Sequence, residues 1–195
     1  MKDPAAVFQD VDGVILAGGR SSRLGQDKVL LSIGGKPLIA HLVDLLRPLV
    51  REIIVAGHHR PEFEPLGLQT LPDLYPDLGP LGGLYTALTS TDAPYVFLLA
   101  GDMPQVPTKL IQRIVRDRKK ADAIIPRGPR GLEPLCAVYS RSCIGTLQNS
   151  LESGNRRIVN ALDGLKVLMP GDLTTEGEPD PFFNINYQED LERIK

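Results

Sequence analysis

At 195 residues, with 42% hydrophobic and 24% charged side chains, the chain has the size and balance of one soluble globular domain with a substantial core. A formal net charge of −2 gives no global attraction to nucleic acid or to an anionic membrane. No apolar run approaches the roughly 20 residues that span a bilayer, and the opening MKDPAAVFQDVD lacks the apolar stretch of a secretory signal. Cys136 and Cys143 fit no disulfide, zinc or redox spacing and read as small core residues of a cytoplasmic protein.

Residues 1–12 read as an N-terminal extension and 13–195 as a single domain. Short β-rich runs at 13–17, 52–56, 69–71, 95–100, 123–125, 137–139 and 166–169 are the expected strands. The first, second and fourth are almost continuously apolar, as strands of a mainly parallel sheet covered on both faces are. Helical patterns lie between them. Residues 37–47 carry Leu38, Leu42, Leu45 and Leu46 on one face, with Pro37 suited to a first helical position. Residues 80–89 follow a Gly-rich turn, and 108–118 carry Leu110, Ile111, Ile114 and Val115 at helical spacing. Residues 142–151 and 188–194 complete the set. Strand, loop and helix repeated in this way indicate a doubly wound α/β domain with helices on both faces. In such sheets ligands sit beyond the carboxyl ends of the strands, so the loops after the first and fourth strands are the expected places for chemistry.

The first of these loops reads LAGGRSSRLGQDK at 16–28. Gly18, Gly19 and Gly25 let the backbone come close to a ligand, and successive N–H groups in such a loop form an anion-binding concavity. Arg20, Arg23 and Lys28 place three positive charges within nine residues, offset by Asp27. Neither the P-loop spacing nor G-x-G-x-x-G is present. A Gly-rich connection with solvated arginines is the alternative that composition leaves open.

The string itself closely resembles the signature L-A-G-G-x-S-x-R-M-G-x-D-K of molybdenum cofactor guanylyltransferases, with Leu24 in place of Met. Related enzymes for sugar phosphates, isoprenoid precursors and the cytidylyl form of the cofactor usually read L-A-A-G, so Gly18 favours the guanylyl branch. The resemblance implies a Rossmann-like nucleotidyltransferase fold in which Leu16, Ala17, Gly18 and Gly19 meet the nucleotide. It further implies that Lys28 binds the nucleotide's phosphates, with Arg23 alongside. Downstream segments agree in order: Gly34 to Leu38 with G-K-P-L, and Asp73 followed by Gly79 to Leu84 with D-x-x-x-x-x-G-P-L-x-G. Gly101 to Pro104 is similar to the family's metal loop, and Phe183 to Asn186 followed by Glu189 to Leu191 to its F-x-N-I-N-T-P-E-D-L ending. By resemblance Asp73 and Gly79 contact the nucleotide, and Asn186, with Asn184, completes a magnesium shell.

Asp102 also has a reading of its own. It follows an apolar strand and precedes Met103 and Pro104, and magnesium favours one or two carboxylates with phosphate oxygens and water. An Asx turn or a cap before Thr108 is the other reading of the same residue. At Ala56 some family members carry a nucleotide-contacting Asn, so that contact is lost here or passes to His58 or to backbone. His58, His59 and Arg60 read as a polar loop rather than a metal site. The segment 131–139, including Pro134, resembles the stretch facing the acceptor, and Arg156 and Arg157 resemble a G-x-R-R element that pairs with acceptor anions; a solvated basic turn is the alternative.

The resemblance thus implies a cytoplasmic enzyme that uses Mg2+ to move GMP from GTP to the phosphate of Mo-molybdopterin. Molybdoenzyme-assembly proteins are possible partners; nucleic acid and membrane are not. A CTP-dependent cytidylyltransferase of the same fold is the nearest alternative, and a non-catalytic nucleotide-binding module the remote one. A phosphate monoester nucleophile, with its second pKa near ~6, needs no general base, which suits a chain with three histidines.

Overall fold

The computed structural model describes residues 7–17, 27–72, 74–75, 78–170, 179–187 and 189–190. In chain order the elements are β1 (Val11–Leu16), β2 (Ser32–Ile33), β3 (Lys36–Pro37), α1 (Leu38–Leu46), β4 (Ile53–Ala56), β5 (Gln69–Leu71), α2 (Gly79–Ser90) and β6 (Tyr95–Ala100). They continue with α3 (Thr108–Arg116), β7 (Ala123–Ile124), β8 (Arg127–Gly128), β9 (Gly131–Leu132), β10 (Cys136–Ser140), α4 (Ile144–Glu152) and β11 (Val167–Leu168).

Seven strands form one sheet in the order β11-β7-β10-β6-β1-β4-β5. All pairings are parallel except those of β10, which runs against both β6 and β7. The β8–β9 hairpin reverses the chain after β7 and delivers β10 in the opposite direction. Along β1, Val11 and Ile15 pack into a layer with Leu38, Leu42 and Leu46 of α1 and Ile111, Ile114 and Val115 of α3. Val14 points the other way, into a layer with Leu84 and Leu88 of α2 and Leu147 and Leu151 of α4. This alternation explains why residues 13–16 of β1 read as an apolar run. Both of its faces are dry. The sheet is doubly wound: β4 and β5 lie on one side of β1, and β6 crosses to the other. The loops after β1 and β6 therefore diverge from one point of the sheet edge, where α/β folds place their ligands.

Several elements differ in extent from the sequence expectation. β1 begins two residues early because a carboxylate lies inside it. Asp12 is fully buried and accepts two hydrogen bonds from Arg51, each of 2.9 Å, and a third from the Thr91 hydroxyl. Pro37 is not the first helical residue; it pairs with Ser32 in the β2–β3 hairpin and stands at the N-cap of α1. That hairpin turns at Gly34 and Gly35, both with positive φ, which a side chain would strain. α3 stops at Arg116 and a single 3-10 turn, Arg118–Lys120, follows. α4 starts at Ile144 after another such turn, Arg141–Cys143. Apart from Glu189 and Asp190, the expected helix at 188–194 lies outside the described residues. Among the described residues no helix is long and apolar enough to cross a membrane.

The Asp12 network fixes the amino-terminal end of the sheet, far along β1 from the ligand edge. Removing the carboxylate leaves the Arg51 guanidinium with the exposed Asp92 alone and strands the Thr91 hydroxyl. Asp12→Ala is expected to lower unfolding free energy by about 3 kcal/mol in urea titration. A loss below about 1 kcal/mol would show that the network contributes little.

Candidate active site

The carboxyl ends of β1 and β6 lie side by side, and the close contact is at the residue after β6. The Gly101 N–H donates to the Leu16 carbonyl at 3.0 Å. A Cβ on Gly101 would lie 2.7 Å from the Leu16 carbonyl oxygen and 2.6 Å from Cγ1 of Val29, so only glycine lets the chains pack this way. Val29 belongs to the 3-10 turn Lys28–Leu30 that carries the signature lysine. The closeness of Gly101 to Leu16 and Val29 is therefore what brings Lys28 to the loop that holds Asp102.

Lys28 Nζ donates to Asp102 Oδ2 at 3.1 Å and to Asn186 Oδ1 at 2.9 Å. Two residues, 74 and 158 positions from Lys28, thus converge on its ammonium. The lysine turn is capped by Asp27, whose Oδ1 accepts the Val29 N–H at 3.4 Å. Asp102 sits just past Ala100 and Gly101, and its carbonyl accepts the Ile185 N–H at 2.9 Å, which docks the segment around 185 onto the Asp102 loop. Asn186 is itself held: the Asp190 carboxylate accepts the N–H groups of Asn186 and Tyr187 at 2.7 and 2.8 Å. Close by, Asn184 Oδ1 is buried with no hydrogen-bond partner among the described residues.

The Asp102 carboxylate and the Asn184 and Asn186 carboxamides, brought together where the segment around 185 docks on the Asp102 loop, form a hard, oxygen-only donor set. Among the described residues no group of three His, Cys, Asp or Glu stands ready to cage a metal. Such a set suits a cation like Mg2+, which keeps several waters and takes phosphate oxygens from its substrate. The orphaned Asn184 oxygen is consistent with a ligand still to come. His58 and His59 play no such part; both are exposed, and His59 Nε2 faces Glu64 at 3.5 Å. Cys136 and Cys143 are buried, and burial pushes the Cys143 thiol up to about 12, so neither supplies a thiolate nucleophile.

A cleft of about 260 Å3 opens beside this cluster, lined by Arg130, Phe183, Asn184, Asn186, Tyr187 and Asp190. Arg130 is braced at its rim, donating to the Phe182 carbonyl at 2.6 Å and pairing with Asp180 at 3.2 Å. Burial raises the carboxyl of nearby Glu133 from its ordinary value, with the Arg130 charge acting in the opposite direction. Neither residue stands out in the sequence, because Arg130 lies in a Gly/Pro-rich turn and Glu133 in an otherwise apolar stretch.

The other expected site residues distribute as follows. Leu16 ends β1 and Ala17 follows it, its N–H donating to the Ala56 carbonyl at 3.0 Å. Alanine at 56 thus contributes through its backbone. Gly79 opens α2 with φ of 64°. Pro134 lies beside the end of β6: the adjacent Leu135 carbonyl accepts the Ala100 N–H at 2.8 Å, and the Pro134 carbonyl accepts the Tyr139 hydroxyl at 2.7 Å. Arg156 and Arg157 are exposed on the turn after α4, and among the described residues no hydrogen bond or ion pair joins them to Lys28, Asp102 or Asn186. Gly18, Gly19, Arg23 and Asp73 lie outside the described residues. Arg60 was expected only to be polar loop. It reaches Asp27 with two N–H groups, at 3.0 and 2.7 Å.

Comparison with known proteins agrees with this geometry. A family model described as the MobA-like NTP transferase domain matches residues 13–166. The chain is 36% identical to a protein of Pyrococcus furiosus named as a probable molybdenum cofactor guanylyltransferase, over 95% of this chain and 96% of the relative. It is 30% identical to the molybdenum cofactor guanylyltransferase of Shewanella putrefaciens, over 94% and 95% of the two chains. Among solved structures it superposes on molybdopterin-guanine dinucleotide biosynthesis protein A from Archaeoglobus fulgidus with a TM-score of 0.77 and 26% identity, covering 93% and 95% of the two chains.

If Gly101 sets the approach of Lys28 to Asp102, adding one methyl there must push them apart. Gly101→Ala is expected to destabilise the fold by about 1–3 kcal/mol, the usual range for overpacking. In the protein that remains folded, nucleoside triphosphate affinity should fall with it. Unchanged binding, measured by calorimetry, would show that the close contact does not govern the site.

Proposed function

This chain belongs to the MobA-like NTP transferase family, and we propose that it transfers GMP from GTP to the terminal phosphate of molybdopterin, releasing pyrophosphate. The observation that carries the proposal is the convergence of Lys28, Asp102 and Asn186 at the edge where the β1 and β6 loops diverge. The names of its relatives supply the base and the acceptor.

The attacking group is a phosphate monoester, already mostly ionised at neutral pH because its second pKa is near ~6. No side chain has to take its proton. The work left to the protein is to align two anions and to neutralise charge on the α- and β-phosphate oxygens. Lys28 is suited to the leaving pyrophosphate as a compact point charge on a flexible stem. Gly18, Gly19 and Arg23 are proposed to cradle the same phosphates, and Leu16, Ala17, Asp73 and Gly79 to bound the nucleoside. Asp102, with Asn186, would hold Mg2+, which when bound supplies further neutralisation of phosphate charge. The cleft lined by Arg130, Phe183 and Tyr187 lies beside the cluster and is the place proposed for the acceptor, with Pro134, Arg156 and Arg157 as further proposed acceptor contacts. Reaction in the cytoplasm, and hand-over to molybdoenzyme-assembly proteins, complete the proposal.

Titration calorimetry with GTP, CTP, ATP and UTP in Mg2+ tests the base. Selective heat with GTP is expected; preference for CTP would make the protein a cytidylyltransferase with the same machinery. Asp102→Ala and Lys28→Ala should each lower turnover by about 100- to 1000-fold, the loss typical of one preorganised electrostatic contact. Near wild-type turnover in either variant would remove that residue from the mechanism.

A further inference from the structure

We infer that Arg60 is a positioning residue for the nucleotide site, acting through Asp27 rather than by touching the nucleotide; the inference rests on the proposed function above. Asp27 is a carboxylate immediately before the lysine that must meet a polyanion, so its charge opposes binding unless it is neutralised. In the structure both of its oxygens are committed. Oδ1 caps the Lys28 turn at the Val29 N–H, and Oδ2 accepts Nε of Arg60 at 3.0 Å and Nη2 at 2.7 Å. The carboxylate is thereby held away from the neighbouring ammonium, which is left to Asp102 and Asn186.

Arg60 can do this because its own backbone is fixed. It precedes Pro61 at the start of the 3-10 turn Pro61–Leu66, and its carbonyl accepts the Phe63 N–H at 3.0 Å. Phe63 is fully buried in the core. Through Nη1 the guanidinium also donates to the His59 carbonyl at 3.3 Å. The result is a strut from the loop after β4 to the foot of the lysine turn. Both side chains are mostly shielded, at 33% exposure for Arg60 and 18% for Asp27, so solvent screens the pair only in part. Lysine could supply the charge but not two N–H groups converging on one oxygen.

The test is a double-mutant cycle on GTP binding by calorimetry, with thermal unfolding recorded for each variant. Arg60→Ala leaves Asp27 unpaired and is expected to weaken GTP about tenfold, equivalent to about 1.4 kcal/mol, raising KM with little change in kcat. Arg60→Lys should recover part of the loss. The deciding variant is Arg60→Ala with Asp27→Asn, in which the carboxamide keeps the cap oxygen and loses the charge. Affinity within about threefold of wild type in that double variant supports action through Asp27. A double variant as weak as Arg60→Ala would mean that Arg60 touches the nucleotide directly, and would overturn the inference. A cycle that couples in melting temperature while GTP affinity never moves would make the pair purely structural, and would overturn it too. Failure of the wild-type protein to bind any nucleoside triphosphate would instead overturn the proposed function, and this inference with it.

Discussion

Two parallel strands end side by side, and the first backbone amide beyond one of them donates to the last carbonyl of the other. The space around Gly101 has no room for a Cβ, because Leu16 and Val29 close on it from both sides. Everything chemical at this edge depends on that packing. Val29 is carried by the turn that bears Lys28, and Asp102 is the next residue after the glycine. A hydrogen bond and a missing methyl therefore set the separation of a cation and an anion that lie 74 residues apart in sequence.

The charge at the site is built in layers. At the centre one ammonium serves a carboxylate and a carboxamide, both oxygens of the kind that a hard divalent cation takes. Around it, a second pair, Arg60 with Asp27, cancels a charge that would otherwise work against an anionic ligand. Farther out, Arg130 and Asp180 hold the rim of the cleft. Each layer brings together residues from different loops. A nearly neutral protein can in this way keep the carboxylates beside its lysine paired, and among the described residues it does so with no histidine, thiolate or acidic cage.

Much of this was legible in the sequence, for identifiable reasons. The apolar runs of β4 and β6 marked strands of a parallel sheet because both faces are covered. The signature loop and the strand-end Asp102 suggested phosphate and metal through the family resemblance, since composition alone left a plain Gly-rich turn and an Asx turn open. What the sequence concealed is tertiary. Asp12 looked like part of a loop because its partner, Arg51, is 39 positions away. Pro37 sits at a cap rather than inside the helix because Gly34 and Gly35 turn a hairpin just before it. Arg60 read as solvated because nothing local reveals that Asp27 is across the sheet edge. Arg156 and Arg157 read as substrate contacts from a short G-x-R-R element, and their place on an exposed turn after α4 gives that expectation no direct support.

The oxygens held by Lys28 form the proposed divalent-cation site. It can be tested without turnover by measuring Mn2+ affinity through electron paramagnetic resonance in the absence of nucleotide. If the ammonium occupies the same oxygens, Lys28→Met should bind Mn2+ more tightly than wild type, by about tenfold if a unit charge some 4 Å away is removed at a partly exposed site. Asp102→Ala should abolish the binding. Equal or weaker Mn2+ affinity in Lys28→Met would contradict the assignment of Asp102 and Asn186 as the metal-facing oxygens.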